Sequence, residues 1–272
     1  MLGIIIIATS HPQYGNMAYN LAVSVKAAEE IKIAVVKDAI SLSHLTDQQK
    51  SIFDYQIELP ADVTGFKTKL HLDLLTPFDK TLYLDADMVW VGYKKPSQLF
   101  KENAGKDFNI LTEGDSLKPS DSYYFWADLK EIQEQYKVDK VYQTRSEVIY
   151  FEKTKVFKKA RELKPEKKLK TIKMFGDGIP DELYFNIAIA SLGIEIEKWA
   201  PAYWIRLNKD IVLQPKDLST NYYLLSAGGN FASNSLKKIY DNAMRYAVKK
   251  LNLQHLFPLK SKRDWAPGRL KI

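Results

Sequence analysis

Short apolar runs alternate with amphipathic segments along most of the 272-residue chain. Residues 3–8 and 31–36 are almost entirely β-branched residues and alanine, and they predict two buried strands. Between them, an apolar face predicts a helix with Asn16 as its N-cap, so that residues 9–16 form the loop before it. Strand and helix signals alternate in this way further along the chain. Thr46 and Gln49 predict a capping box at the start of a short polar helix, residues 153–170 predict a lysine-rich, solvent-exposed helix and loop, and residues 194–199 predict a further strand. The pattern predicts an α/β fold with a mostly parallel central sheet flanked by helices.

The clearest strand signal, residues 81–91, contains two acids. Asp85 and Asp87 follow an apolar run and precede a second one, TLYLDADMVWV. Residues two apart on an extended segment point the same way, so both carboxylates are expected to face one ligand at the sheet edge. Oxygen ligands suit Mn²⁺ or Mg²⁺ bound to substrate phosphates. A plain turn is the alternative, because aspartate commonly ends strands and the motif is short.

Two other segments, one just before this strand signal and one much later in the chain, have helical patterns. Upstream, Phe66, Leu70, Leu74 and Leu75 are spaced as on one apolar helix face, followed by a turn at residues 77–79. Downstream, residues 176–186 read GDGIPDELYFN, which places a proline and two acids at the start of a helix. Those acids can serve catalysis or simply stabilise the helix end.

Residues 68–100, TKLHLDLLTPFDKTLYLDADMVWVGYKKPSQLF, resemble the core of the glycogenin-like enzymes of glycosyltransferase family 8. The resemblance implies a single GT-A domain over residues 1–272. Its nucleotide-sugar half would span about 1–112 and its acceptor half about 113–250, followed by a basic tail at 251–272. It also implies retaining transfer of a sugar from a UDP-sugar donor, with Mn²⁺ or Mg²⁺ on Asp85 and Asp87.

The same resemblance implies a set of donor-binding residues. Lys69 would lie beside the donor phosphates and assist departure of UDP. Tyr14 would stack on the uracil, although a loop tyrosine also serves as a packing residue. The other residues expected to contact the nucleotide sugar are Ala8, Thr9, Asp38, Asp85 and Ala86.

The acidic pair before the late helix matches the family pattern in part. Asp181 and Asn186 match it, whereas Glu182 stands where the family has glutamine. The resemblance places Asp181 and Glu182 below the anomeric carbon, where they would stabilise an oxocarbenium-like state. Another departure is Arg145-Ser146-Glu147 in place of the family's Asn-Ser-Gly. It leaves the donor-sugar contact open, with Arg145 as a substitute phosphate or acceptor contact.

Near the C-terminus the family carries a histidine, a lysine and a tryptophan. This chain has His255, Lys260 and Trp265 at a different spacing. The resemblance implies that His255 is a third metal ligand and that Lys260 contacts the diphosphate. A structural role for His255 is the alternative.

Charge and composition bear on the partners and the compartment. The net charge is +7, and seven basic residues lie between Lys249 and Lys271. Such a tail fits an anionic membrane surface or nucleic acid phosphates.

The absence of cysteine excludes disulfides and thiolate metal sites. Residues 2–8 are too short to cross a bilayer and lack the pattern of a signal peptide. We expect a cytoplasmic protein, soluble or peripheral to the inner face of a membrane.

The acceptor stays open at this level. A glycan or lipid-linked glycan is expected first. A nucleic-acid acceptor, as in phage enzymes that glycosylate hydroxymethylated bases, and self-glucosylation are the alternatives. A module that binds nucleotide sugars or nucleic acids without catalysis is a rival from another class. A two-metal phosphatase or nuclease is less consistent with four scattered histidines.

Overall fold

The computed structural model describes residues 1–90, 94–117, 126–174, 178–204 and 222–226, together with the helical positions 245 and 249. Nine strands occur in this part of the chain. They are β1 Leu2–Ala8, β2 Ile33–Lys37, β3 Tyr55–Glu58, β4 Lys80–Asp85, β5 Met88–Trp90, β6 Phe108–Leu117, β7 Val141–Phe151, β8 Ala202–Trp204 and β9 Leu224–Ser226.

Eight α-helices and one 3₁₀ helix, Gly65–His71, accompany these strands in the described ranges. The α-helices are α1 Pro12–Ala28, α2 Asp47–Lys50, α3 Leu72–Leu75, α4 Pro96–Glu102, α5 Leu129–Tyr136, α6 Val156–Glu162, α7 Pro165–Lys168 and α8 Asp181–Ser191. No helix among the described residues is both long enough and apolar enough to cross a membrane.

A six-stranded sheet has the strand order β3-β2-β1-β4-β7-β6. β1, β2 and β3 pair in parallel, with Ala8 opposite Lys37 at the carboxyl ends of β1 and β2. β6 pairs with β7 in the antiparallel direction. The predicted α/β class and mostly parallel central sheet are therefore confirmed.

Contacts divide the chain into two compact units. The first unit consists of Met1–Leu59, Leu84–Ala104 and Pro201–Ile272. Its strands β1 and β2 are buried along most of their length, because nearly every residue is aliphatic. A small three-stranded sheet of β5, β9 and β8 also belongs to this unit. The backbone N–H of Trp90 in β5 donates to Ser24 Oγ of α1 at 3.0 Å, which joins the small sheet to the helix.

The second unit consists of Pro60–Tyr83 and Gly105–Ala200. Its core is aromatic. Phe157 of α6 meets Phe151 of β7 edge to face, with ring centroids 4.7 Å apart, and meets Phe185 of α8 at 5.6 Å. Aromatic pairs in this geometry typically add about 0.5–1.5 kcal/mol beyond the burial of their area. The cluster fixes α8 against β7 and thereby sets where the acids at the start of α8 lie.

Three local predictions were wrong. The first helix begins at Pro12 rather than after Asn16, because the Nδ1 atom of His11 caps it by accepting from Gln13 N. Leu74 is 69% exposed, because the predicted single helix is a 3₁₀ turn followed by a one-turn α-helix, which changes the direction of that side chain. Residues 194–199 form no strand, and only Trp199 makes an isolated bridge to Thr112.

Candidate active site

The first unit brings together three of the predicted nucleotide-binding residues. Ala8 ends β1, Thr9 follows it, and Asp38 follows the neighbouring strand β2. The Asp38 carboxylate accepts from Ser10 N at 2.5 Å through Oδ2, and from Ile40 N and Ser41 N at 3.1 and 2.8 Å through Oδ1. The carboxylate therefore fixes the backbone of two loops at the edge of the sheet.

This network explains two features of the loop after β1. Ser10 has φ +73°, a left-handed conformation that costs energy in a residue other than glycine. The hydrogen bond from its N–H to Asp38 helps to hold it there. Burial of Asp38 would raise its pKa, but the backbone donors and the Ser41 hydroxyl outweigh that effect and lower the pKa below its ordinary value. Asp38 thus stays ionised and acts on the backbone.

Tyr14 lies in the first turn of α1 and not in a loop as predicted, and its side chain is partly exposed. The next residue, Gly15, lets α1 approach the loop after β2 very closely. A Cβ atom added at Gly15 would lie 2.0 Å from the Ser41 carbonyl oxygen. On the same helix, Asn16 is buried and its Oδ1 lies 2.5 Å from His44 Nε2. The helix carrying Tyr14 is therefore held tightly against the Asp38 loop.

The two aspartates of the acidic motif differ in exposure. Asp85 is the last residue of β4 and is partly exposed, whereas Asp87 is 8% exposed. Residues 86 and 87 form a turn before β5, so the strand period that predicted a common direction does not extend to Asp87. The anchoring of β5 to α1 fixes this turn from its far side.

Oxygen ligands from adjacent acids are the donor type that Mn²⁺ or Mg²⁺ prefers, and one or two carboxylates suffice when substrate phosphates complete the shell. Asp85 and Asp87 fit that requirement by residue type. Within the described ranges, no group of three or more histidine, cysteine or acidic side chains forms a metal site. His255 and Lys260 lie outside the described residues, as does the tail at 251–272.

In the second unit, Lys69 of the 3₁₀ helix meets several polar groups. Its Nζ donates to Ser146 Oγ at 3.1 Å and to the Ser146 carbonyl at 3.4 Å. It also lies 5.4 Å from the centroid of the Tyr83 ring. The side chain is only 17% exposed. Lys67, two residues earlier, is exposed. Lys69 is thus an oriented, largely buried cation.

Asp181 forms an ion pair with this cation. It is the first residue of α8 and is 3% exposed, with Oδ2 at 3.6 Å from Lys69 Nζ. The N-cap position is Pro180, and no side chain makes a capping hydrogen bond there. Asp181 therefore makes no hydrogen-bonded cap, although both acids lie in the first turn of α8, where the helix dipole favours negative charge. Further along α8, Asn186 Oδ1 accepts from Thr144 Oγ1 at 2.7 Å and from Thr144 N at 3.3 Å, which ties α8 to β7.

Glu182 follows directly and is electrostatically different. Burial of its carboxyl group and the adjacent charge of Asp181 raise its pKa to about 8, against an opposing attraction from Lys69. Glu147 of β7 contributes a further like charge. The start of α8 thus combines an acid paired with a cation and an acid that resists ionisation.

Strand β7 is irregular where it supplies these contacts. Ile110 of β6 is opposite Ile149, but the next β6 residue, Leu111, is opposite Arg145, so residues 146–148 interrupt the regular pairing. Such bulges redirect side chains and are common beside active sites. Ser146 is fully buried toward Lys69, whereas Arg145 and Glu147 are partly exposed.

No protein-family model matches the chain, and no curated protein does. Solved structures do match. The galactosyltransferase LgtC, in complex with donor and acceptor sugar analogs, matches with a TM-score of 0.52 and 14% identity over 88% of this chain and 95% of that one. The bifunctional glycosyltransferase WbbM matches at 0.53 and 10% identity, over 93% of this chain and 51% of its own. GlyE from Streptococcus pneumoniae TIGR4 matches at 0.53 and 13% identity, over 94% of this chain and 64% of its own.

The chain has a GT-A fold. At this level of identity the likeness establishes the fold and nothing about the reaction, which must be argued from the side chains.

Two residues of this GT-A site were missed by the sequence analysis. Ser146 was noted only as part of a departure from a family motif, and it is the hydrogen-bond partner of Lys69. Arg161 of α6 was included in a lysine-rich surface segment. Its guanidinium in fact binds both carboxylate oxygens of Asp73, at 2.5 and 3.0 Å, and the Leu70 carbonyl at 2.5 Å. Arg161 therefore clamps the segment that carries Lys69.

Proposed function

We propose that this protein is a retaining glycosyltransferase that moves a sugar from a UDP-sugar to an acceptor hydroxyl of a glycan or lipid-linked glycan, with Mn²⁺ or Mg²⁺. The observation that carries the proposal is the buried Lys69–Asp181 pair, 3.6 Å apart, in a GT-A fold. Neither charge is needed to build the aromatic core around α8. A buried ion pair contributes little to stability after its desolvation cost, so its presence favours a chemical role.

Each member of the pair suits one part of sugar transfer. When the glycosidic bond to the donor phosphate breaks, negative charge grows on the departing diphosphate and positive charge grows on the sugar. The Lys69 ammonium would stabilise the departing diphosphate, and the Asp181 carboxylate would stabilise the cationic sugar. Ser146 and Tyr83 hold the ammonium in one position, so little reorganisation is needed during the reaction.

In the first unit, the nucleotide role falls to the edge formed by Ala8, Thr9 and Asp38, with Tyr14 on the adjoining helix turn. The Asp38 carboxylate orders the backbone of the two loops. The N–H and carbonyl groups of that backbone would then hydrogen-bond to the base and the ribose. Asp85 and Asp87 would hold the divalent cation, with Ala86 between them. The cation, when bound, supplies positive charge to the donor diphosphate.

The first experiment is a screen of UDP-sugars for release of free UDP with and without Mn²⁺, followed by Asp87→Ala. We expect Mn²⁺-dependent release by the wild-type protein and a loss of at least about 100-fold in the variant, since an electrostatic group of this kind contributes that much. Asp62→Ala is the matched control, because Asp62 is an exposed loop acid of the second unit. Near-normal turnover by Asp87→Ala would remove the metal role, and no release with any UDP-sugar would refute the proposed reaction.

A further inference from the structure

Positive charge in the second unit is concentrated in residues 153–173, which span α6, α7 and the segment after them. This stretch, called the basic surface below, contains ten basic and two acidic residues. Its net charge of +8 exceeds the +7 of the whole chain. A surface that serves only solubility mixes the two signs, so this one-sided composition favours a specific role.

The nine lysines of the basic surface lack the acidic neighbours that other surface lysines of this unit have. Lys106 lies 2.7 Å from Glu197, and Lys140 lies 2.9 Å from Glu195. None of the nine forms an ion pair with any residue that the structure describes, and eight of them are exposed. Unbalanced like charges repel one another, so an external anion would stabilise this arrangement.

The lysines are carried by a fixed backbone. Phe157 buries one side of α6 in the aromatic core, so Lys155 and Lys159, four residues apart, lie on the opposite side. After α7, the Glu131 carboxylate of α5 accepts from Lys170 N at 2.7 Å and so holds the end of the segment. Charges on a fixed backbone lose little freedom when a partner binds.

Two exposed apolar side chains border the basic surface. Leu74 is 69% exposed and Met174 is 55% exposed, and they are the exposed large hydrophobic residues of the second unit within the described ranges. Leu74 follows Asp73, which Arg161 of α6 binds at 2.5 and 3.0 Å, and Met174 follows Lys173. Aliphatic side chains beside lysines are typical of a protein face that lies on a membrane.

The same features disfavour nucleic acid as the partner. Arg161 is the one arginine of the basic surface, and Asp73 occupies its guanidinium. The remaining charges are compact ammonium groups, which lack the fork that suits nucleic-acid recognition. The one aromatic residue in 153–174 is Phe157, which is buried and cannot stack on a base.

We propose that the basic surface binds an anionic membrane surface. The lysines lie at the lipid head groups, and Leu74 and Met174 enter the boundary between head groups and acyl chains. This surface is distinct from the basic tail at 251–272, to which the sequence analysis assigned such a contact.

Sedimentation with lipid vesicles tests the proposal in the absence of metal, nucleotide and acceptor, so its outcome does not depend on the proposed reaction. Vesicles of phosphatidylcholine alone are compared with vesicles that also contain phosphatidylglycerol. We expect binding to the anionic vesicles that weakens as salt is raised, and little binding to the neutral ones. Equal binding to both, or binding to neither, would overturn the proposal.

A triple variant removes three exposed charges of the basic surface: Lys155→Gln, Lys164→Gln and Lys167→Gln. Each lysine near an anionic membrane contributes about fivefold to binding, so this variant should bind about 100-fold more weakly. Its thermal unfolding temperature should not fall, because none of the three forms an ion pair with a described residue.

A matched control removes three exposed lysines outside the basic surface: Lys32→Gln, Lys101→Gln and Lys140→Gln. Its affinity for anionic vesicles should fall less than about threefold, since charges farther than about 10 Å from the lipid are screened. Equal losses in the two triple variants would mean that net charge alone drives binding, and the basic surface would have no special role.

The basic tail is a competing source of membrane affinity. A third variant combines Lys260→Gln, Lys262→Gln and Arg263→Gln, and it should bind the anionic vesicles more tightly than the variant of the basic surface does. If the tail variant instead loses binding while the variant of the basic surface keeps it, the assignment is wrong.

Leu74→Ser distinguishes a membrane from nucleic acid. It should weaken binding to anionic vesicles about three- to tenfold, because apolar area no longer leaves water. Ile40→Ser, at an exposed apolar residue of the first unit, should have no such effect. If the protein binds duplex DNA more tightly than vesicles and Leu74→Ser changes neither affinity, the basic surface binds nucleic acid and the proposal is refuted.

Discussion

Burial would raise the pKa of both Asp38 in the first unit and Glu182 in the second, yet the surrounding groups act on their charges in opposite ways. Asp38 accepts three backbone hydrogen bonds, from Ser10, Ile40 and Ser41, and its pKa is lowered. Glu182 has acids beside it and one shared cation, and its pKa is raised to about 8. Burial acts in the same direction at both, so the donors and the neighbouring charges decide the outcome.

The opposite directions of the two pKa values indicate different roles for the two acids. N–H donors aimed at a carboxylate keep it ionised and use it as a fixed acceptor that orders the backbone. Acids grouped around one lysine give a pair in which one member is charged and the other is neutral, a combination that recurs where acid and base roles are divided. The comparison therefore assigns Asp38 to loop geometry and supports the chemical role proposed for the start of α8.

The largest effect is expected from neutralising the charged member of the second site. Asp181→Asn keeps the shape of the side chain but removes the anion that faces Lys69, so kcat for sugar transfer should fall by about 10²- to 10³-fold. The fold should persist, because Lys69 keeps its contacts with Ser146 and Tyr83. Steady-state kinetics and a thermal unfolding scan measure the two quantities.

Asp139→Asn is the control for this experiment, since Asp139 is an exposed acid of the same unit. Its kinetics should match the wild-type protein. A loss smaller than about threefold in Asp181→Asn would assign the ion pair to structure and would remove the contrast between the two sites.

A smaller effect, on stability, is expected at the first site. Asp38→Asn replaces one carboxylate oxygen by an amide NH₂ group, which cannot accept a hydrogen bond from a backbone N–H. This loss should lower the free energy of unfolding at pH 7 by about 1–3 kcal/mol. Because the folded pKa of Asp38 is lowered, its contribution is present above the ordinary value of 3.8 and disappears as the pH falls through the folded value. Urea unfolding at pH 7 and at pH 3 measures the change.

The pH trends of the two sites should run in opposite directions. The stability gap between the wild-type protein and Asp38→Asn should narrow as the pH falls below about 4, whereas the stabilisation from the Glu182 proton should decline as the pH rises toward about 8. Asp62→Asn serves as the exposed control. If the stability contributions of both acids changed with pH in the same direction, burial would outweigh the hydrogen-bond donors at Asp38 and the neighbouring charges at Glu182 in setting their pKa values.

Much of the fold follows from local patterns in the chain. The aliphatic runs of β1 and β2 are long enough to be recognised without tertiary information, and parallel strands with both faces covered have no polar face to confuse the signal. The capping box at Thr46 and Gln49 was predicted and is present, because both partners lie within one turn. Lys69 and Asp181 were expected together only through a family resemblance, and the structure places them 3.6 Å apart.

The remaining features depend on contacts between distant parts of the chain. The Lys69–Ser146 hydrogen bond joins residues 77 positions apart, and the Arg161–Asp73 pair joins residues 88 apart. No local period encodes such pairs. The turn at residues 86–87 was missed for a related reason, since the apolar residues on both sides of it are buried and read as one continuous strand.

The smallest effect on the rate of sugar transfer is expected from Arg161, which holds the segment that carries Lys69. Its guanidinium binds the carbonyl of Leu70, the residue directly after Lys69, and both carboxylate oxygens of Asp73. Arg161→Lys keeps the charge and loses the planar fork that makes the bidentate contact, so Lys69 should be held less exactly in place. We expect kcat to fall about three- to tenfold with KM nearly unchanged, since a small displacement of a positioned group lowers the rate more than binding.

Arg161→Gln removes the charge as well and should lower kcat further, which makes the lysine variant a partial rescue. Lys158→Gln on the same helix is the control, because Lys158 is exposed and its loss should change neither constant. A merely structural role would lower the thermal unfolding temperature of both Arg161 variants while leaving kcat per folded molecule intact. That result would mean that the 3₁₀ helix and the contacts of Lys69 with Ser146 and Tyr83 hold the ammonium in place without Arg161.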